Sequence, residues 1–554
     1  MSTYIITQED IDLLKQRHIQ YQIRFEVLNP DGTVLDEIEG IIQSGGYSID
    51  ANSDVRRTVS LTVAPTRLHP NNMTFGPEGN IWINKTIHLF ISIYNPRTKE
   101  YKPYSAGFYE YTSVSGTYDN ATNTLSLSLN DFMITLNGTK NGEIGALNTT
   151  IPAYKEDPKT GRVISYNTIR DAMKSVLNQL GKIDSVYIDE IGEAQAMKRF
   201  NRNYLSYRSK HPTWASVPYD LEFSVGCNVL DIVRGLRDLY PNYETFFDPI
   251  DNTFVCQMIP SVEDDIVVLD NDFFSKVLIR QDNVDVDLTT VRNICEVWGE
   301  VIEADFYTDT VSVSSAGNTF TATISNYTEY KARDTIAVKL PATNTSSMYL
   351  RVNSLATIPV YNKETEAFYP SGYFERNVVY VFEIENEYRG GGTTTKAYLL
   401  GHFQVHAMDV LTDGTVGEVV RVNNTSVQKY SQRYFQLMYN CENVNLTVIP
   451  DSPFTVQKLG ERLSVKSGGT YDAIRSDSNA KQMAIYDNWK NSRLTDSITI
   501  TTLMIPFIDV NTKVSFKPEG AVAPNEYVVS HVNHNLDSLT SSISMYRFYP
   551  LYNN

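Results

Sequence analysis

Cysteine is scarce in this chain. The four residues, Cys227, Cys256, Cys295 and Cys441, form no CxxC motif and no Cys/His spacing of the kind a structural zinc site needs. A disulfide scaffold and a zinc-stapled fold are thereby excluded, and each thiol reads as a small buried hydrophobe. No apolar run approaches the roughly 18 residues that a spanning helix requires. The opening MSTYIITQEDIDLLKQRH has no basic stretch followed by an apolar core. No integral membrane segment is expected, and the chain is expected to fold in a cytoplasm, where Asn84, Asn137 and Asn445 are sequons by accident of composition. Positive charge is short as well: 48 basic against 65 acidic residues leave a net charge of -17. Such a molecule repels nucleic acid as a whole, so any contact with DNA is passage and not binding.

What the chain does have is tyrosine, 36 residues of it, together with many threonines and asparagines, a composition that leans towards β structure. Its 554 residues suggest three or four domains at roughly 150 residues each. Thr7 and Asp10 read as the cap of a short helix carrying Ile11 and Leu14. RFEVLNPDGTVLDEI reads as a hairpin turning at Asn29 to Gly32. GFYEYTSVSGTYD and NTLSLSLNDFM read as another, with Leu125, Leu127 and Leu129 alternating with Ser126 and Ser128 so that one face is buried and the other wet. From about residue 145 the period changes: Ile169, Ala172, Met173, Val176, Leu177 and Leu180 predict a helix ending at Gly181. A second helix is expected from Asn228 to Tyr240, followed by a hairpin of Tyr243 to Phe247 against Phe254 to Met258. Residues 303–425 are nearly helix-free, and the end reads as helix (SDSNAKQMAIYDNWKNSRL) and then strands. Strands near Leu125 to Leu129 and Ile498 to Thr502 are expected in cores or subunit contacts, and Trp298 and Trp489 in cores whose truncation leaves cavities.

The chemistry-bearing residues do not converge. His402 and His406 lie in GHFQVHAMDV, which reads as one strand that puts both on the same side, with Asp409 the only further ligand type nearby. His531 and His534 form no better motif. Glu263-Asp264-Asp265 and the pair Asp285 and Asp287 read as solvated edges, with calcium as the sharper alternative. Gly390, Gly391 and Gly392 join strands, and no helix follows them to hold a phosphate. No GxSxG elbow or Walker A loop is present. Cys295 sits between Ile294 and Val297 in an apolar strand, unlike a nucleophile. No catalytic, cofactor-binding or metal-binding residue is assigned.

The order of features resembles the bacteriophage baseplate hub and tail-associated (tail tip) protein family. Four stretches carry the resemblance: RRTVSLTVAP with YSAGFYEYTSV; LEFSVGCNVLDIVRGLRDLYPNYETFFDPIDNTFVCQMIP; VRNICEVWG; and the closing SITITT with YVVSHVNHNLDSLTSSISMYRF. It implies a β-rich α+β, multidomain fold with two tail-tube-like β-barrel domains, a helix-containing domain and a β insertion domain. The expected boundaries are 1–144 for the first tube-like domain, 145–262 for the α+β domain, 263–302 with 426–554 for the second tube-like domain, and 303–425 for the insertion. The resemblance further implies a homotrimer whose six tube-like units make a pseudo-sixfold hub ring that joins tail tube to spike or tip. The tail tube or distal tail protein and the spike, tape measure or fibre proteins would be its partners. DNA would be met only in transit, and the place of action would be the virion, assembled in the host cytoplasm. No catalytic residue transfers, and the chain is read as no enzyme. The insertion departs from the minimal pattern, and its Tyr-rich PVYNKETEAFYPSGYFERNVVYVFEIEN leaves a glycan-binding, receptor-recognising role as the alternative. A cell-wall hydrolase is a further alternative, for which an added C-terminal domain would be needed and none is expected.

Overall fold

The computed structural model describes residues 5–38, 40–65, 76–118, 123–145, 149–159, 163–191, 216–217, 220–240, 242–260, 265–303, 306–308, 311–313, 318–362, 366–389, 392–403, 406–410, 416–420, 429–438, 454–469, 471, 474, 480, 483–484, 487–488 and 490–549. Helix α1 (Gln8–Leu14) starts at a capping box in which the Thr7 hydroxyl and the Asp10 carboxylate satisfy each other's backbone donors, and it buries Leu13 and Leu14. β1 (Tyr21–Leu28) and β2 (Val34–Ile38) form the predicted hairpin, closed by Gly32 N–H to the Asn29 carbonyl at 2.9 Å. β3 (Gly40–Asp50), β4 (Arg57–Pro65), β5 (Thr86–Asn95), β6 (Glu100–Tyr118) and β7 (Asn123–Asn130) follow. Period-two alternation decides their faces: Val59, Leu61 and Val63 lie opposite Leu129, Leu127 and Leu125, and all six are buried.

The next segment carries β8 (Thr149–Ile151), β9 (Tyr154–Glu156), β10 (Val163–Tyr166), α2 (Ile169–Gln179), β11 (Val186–Ile188), β12 (Leu221–Phe223), α3 (Val229–Arg237), β13 (Tyr243–Phe247) and β14 (Phe254–Met258). Thr168 caps α2 and Asn228 caps α3. Their apolar stripes pack together in one core with Phe247, Phe254 and Cys256. Leu180, expected on the α2 stripe, is instead the exposed residue that caps the helix C-terminus. The β13–β14 hairpin has the predicted register, Phe247 opposite Phe254, and β11 adds to β14 in parallel.

Helix α4 (Asn271–Val277) then leads into β15 (Leu278–Asp287), and β16 (Ile294–Glu303) follows. β17 to β22 (Phe306–Thr308, Val311–Val313, Thr319–Ala322, Thr335–Lys339, Tyr349–Val352, Ile358–Tyr361), then β23 (Val379–Arg389) and β24 (Gly392–Phe403), come next. A core containing Phe320, Phe374 and Phe382 lies among them. β25 (His406–Val410), β26 (Val416–Val420), β27 (Lys429–Met438), α5 (Val456–Leu459), β28 (Leu463–Lys466), β29 (Thr495–Leu503), β30 (Lys513–Phe516), β31 (Asn525–Asn535) and β32 (Thr540–Arg547) complete the described elements. The fold is β-rich with few helices, as expected.

One sheet dominates. Its strand order is β15-β29-β32-β31-β3-β4-β7-β6-β5-β1-β2, with β30 on the side of β31. Strands expected in two separate tube-like blocks therefore hydrogen-bond into a single sheet and share one core, from Phe25 and Val27 to Ile543 and Met545. The seam is β3, which pairs with β4 on one edge and with β31 on the other. Gly45 and Gly46 permit this approach: a Cβ on Gly45 would meet the Ser60 backbone carbonyl, and one on Gly46 the His534 carbonyl.

Candidate functional site: a hydroxyl-lined sheet face

Because directly opposed residues share a face, the register reads out the side of the large sheet that turns away from the core. One row across it runs Thr501, Ser542, Asn533, Ser48, Thr58, Asn130. The next runs Thr540, Asn535, Gly46, Ser60, Ser128, Ser113. A third, shorter, runs Ser44, Thr62, Ser126, Ser115. Between Thr501 and Asn130 the rows hold no ionisable side chain, but the first continues at its two ends to Arg280 and Glu110. The fourth, Thr499, Ser544, His531, Asp50, ends in a half-exposed His–Asp contact at 3.9 Å. Neighbouring hydroxyls bond one another across strands, Ser48 to Thr58 at 2.8 Å, Thr499 to Ser544 at 3.0 Å and Thr62 to Ser126 at 3.2 Å. A depression of about 260 Å³ lies on this wall among Ser44, Ser60, Ser113, Ser115, Ser126 and Ser128. The opposite rows hold the core.

Beneath one end of the wall three parts of the chain are clamped by two adjacent arginines. Arg56 donates to the Glu244 carboxylate at 2.5 Å and lies over the Phe246 ring at 4.3 Å. Arg57 donates to the Phe247 carbonyl at 3.0 Å and to the Asp509 carboxylate, and its own amide is held by Asp131 at 2.8 Å. Asn511 and Gln257 complete the shell around Glu244. Burial works against the Arg57 charge, but the Asp509 carboxylate outweighs it and raises the guanidinium's pKa. For Asp131 burial dominates, and its pKa is raised. Nothing in the alternation of DVRRTVSLTV points to this junction. Two consecutive arginines before a strand look like solvated charge, and only the long-range fold buries them.

The structure also separates or inactivates the groups weighed from sequence. GHFQVHAMDV is not one strand: His402 belongs to β24 and His406 to β25, in different sheets, so the shared-face argument for a metal fails. Glu263 and Asp264 lie outside the described residues, as do Gly390, Gly391, Cys441 and Trp489. Asp285 and Asp287 are spent on local turns, accepting from Asn283 and Thr289. Among the described residues no three His, Cys, Asp or Glu side chains gather as metal ligands. Cys256 is buried in the second core and Cys295 beside Ile474 and Ala480, whereas Cys227 is half-buried. Trp298 is half-buried and donates to Glu296 at 2.6 Å, so it is not a core filler.

Two serine–histidine pairs escaped the sequence reading. His88 Nε2 lies 2.8 Å from Ser105 Oγ, but that hydroxyl already donates to the Pro249 carbonyl, so the ring nitrogen donates and cannot act as base. His534 Nδ1 lies 2.8 Å from Ser541 Oγ, fully buried and stacked on Tyr47 at 4.3 Å, with no approach for a substrate. Burial pulls its pKa down to about 3, and that of His88 to about 4. No helix among the described residues is long and apolar enough to cross a membrane.

Phage tail proteins resemble this structure. A tail protein from Neisseria meningitidis aligns with 95% of this chain and 96% of its own, at 8% identity and a TM-score of 0.43. A tail protein of prophage MuSo2 from Shewanella oneidensis aligns over 95% and 98%, at 9% identity and 0.42. A prophage tail protein from Listeria monocytogenes aligns over 94% of both, at 8% identity and 0.38. Residues 451–552 match a family described as a domain of unknown function, DUF5048. No curated protein matches the chain in sequence.

Proposed function

We propose that this chain is a structural component of a phage tail tip, a hub subunit that assembles with copies of itself into a ring between tail tube and spike, with the hydroxyl-lined sheet face turned to the DNA passage. The observation that carries the reading is the pairing of one continuous sheet with a wet face whose central rows are Ser, Thr and Asn, the ionisable groups Arg280, Glu110, His531 and Asp50 lying at its borders. Duplex DNA presents a phosphate charge about every 1.7 Å, and each Lys or Arg on a channel wall would hold it by counterion release. Three rows of Ser, Thr and Asn offer it only hydration and weak, exchangeable hydrogen bonds, while the net charge of -17 repels it from elsewhere. The sequence resemblance supplies the ring and its threefold symmetry.

Light scattering of the purified protein followed by two-dimensional particle averages tests this reading. Threefold rings with a central opening are the expected result, and a chain that stays monomeric at high concentration in the presence of its tube and spike partners sinks it. A second reading, glycan recognition by the insertion, has one observation in its favour: Tyr373 is exposed at a tight turn and stacked on Tyr369 at 4.3 Å, a rigid aromatic shelf. Under that reading Tyr373→Ala abolishes binding of host cell-wall polysaccharide and leaves assembly intact.

A further inference from the structure

Among the described residues, two of the strands that end sheets, β15 and β28, join an unpaired outer edge to exposed apolar side chains. β15 is the terminal strand of the large sheet and pairs only with β29; β28 is the terminal strand of the sheet β27-β16-β28 and pairs only with β16. Long exposed edges with apolar side chains are rare in chains that act alone, because their free N–H and C=O groups are templates for another strand. Here the apolar side chains are in place. Val284, Val286 and Leu288 share one face of β15 and its exit and are between 45% and 68% exposed. On β28, Leu463 and Val465 share a face at 47% and 53% exposure.

The charges of the two edges are opposite. Asp285 and Asp287 occupy the other face of β15, and each accepts only from nearby uncharged groups. Arg462 and Lys466 flank and end β28, and neither side chain makes a hydrogen bond or ion pair among the described residues. We propose that β15 of one chain pairs, edge to edge, with β28 of a second copy. In the one relative strand direction that puts the aliphatic faces on the same side, aliphatic residues meet aliphatic residues, and on the other face the aspartates come within reach of Arg462 and Lys466.

The alternatives within the chain are disfavoured by sign. β15 carries one cation, Arg280, against Asp282, Asp285 and Asp287, so a second β15 would meet it with the same net negative sign. The far edge of the large sheet, β2, carries Asp36 and Glu37 and is equally acidic. The contact uses two different patches, one donated by each copy, so it is heterologous and closes into a ring when the rotation per subunit allows. This inference rests on the reading that the chain assembles with itself, and it names the surface that does so.

The test is a charge exchange read by light scattering on the full chain. Asp285→Lys/Asp287→Lys and Arg462→Glu/Lys466→Glu are each expected to weaken self-association at least tenfold with an unchanged thermal melt, since all four side chains are exposed or half-exposed. Combining the four substitutions in one chain is expected to restore it, which a merely damaged protein would not do. Separately, Val286→Cys with Val465→Cys is expected to give interchain disulfide ladders on a non-reducing gel. Assemblies that persist in both charge-reversal variants overturn the edge pairing while leaving the ring reading standing. Cross-linked ladders without closed rings on the grid support the edge pairing and sink the ring. A wild type that stays monomeric and binds only a basic foreign protein through β15 overturns the choice of a second copy.

Discussion

Arg57 is a cation almost cut off from water, and its value depends on Asp509 and the Phe247 carbonyl being where they are. Removing one partner of such a pair leaves the other charge stranded, at a cost of about 3 to 5 kcal/mol. Arg57→Ala is therefore expected to lower the unfolding free energy from denaturant titration by that amount, whereas Arg57→Met with Asp509→Leu, which removes both charges, is expected to cost much less than the two single changes added together. A sum of singles equal to the double would count against coupling across the junction. His534 makes a different claim at the same scale. Its folded pKa is depressed to about 3 by burial, below the unfolded value of about 6.5. The unfolded chain binds the extra proton first, so the stability due to a neutral His534 is whole above about pH 6.5 and drains away as pH falls towards 3. In unfolding curves taken between pH 7 and 4, His534→Phe is expected to show a shallower loss than the wild type; equal slopes would sink the assignment.

Among the elements, those legible in the sequence were the ones whose period is local. The alternation of Leu125, Leu127 and Leu129 with serines placed β7 and named its buried face, and truncating Leu127 to Ala is expected to cost about 2 to 5 kcal/mol by calorimetry. Their apolar stripes announced α2 and α3, because such a stripe lies within one helix length, while the Thr168 cap emerged only in the structure. What alternation does not name is the neighbour. β3 was not singled out in the sequence, and Gly45 and Gly46 are what let β4 and β31 close on it from both sides. Gly46→Val, harmless to local propensity, is expected to abolish soluble expression; normal yield would mean β3 and β31 do not meet. The hydroxyl wall was half-legible: Ser126, Ser128 and SITITT showed wet faces, but their joining into common rows needed the register. Trp298 failed as a core residue because a polar ring nitrogen beside Glu296 could satisfy itself at the surface.

At the scale of the whole molecule, charge placement separates a passage from a binding site. The wild-type protein is expected to retain no duplex DNA on a filter at about 150 mM salt, the physiological ionic strength. Ser60→Lys with Ser128→Lys, which puts two cations in the middle of the wall, is expected to create retention that falls as salt rises. Retention by the wild type would contradict the neutral wall as a low-friction surface.

The seam at β3 has one more consequence, for synthesis. Tyr21 of β1 donates its hydroxyl to the Met504 carbonyl, a contact 483 residues apart in sequence, and β3 waits for β31 over a comparable span. A ribosome making roughly 5 to 20 residues per second finishes the first seven strands long before the partner exists. During that interval the nascent chain carries an open strand edge, and its neighbours on the same polysome carry the same one. A cell that makes this protein has to keep these half-built sheets apart for tens of seconds, which places a demand for a holding chaperone at the beginning of the message and relieves it only at the end.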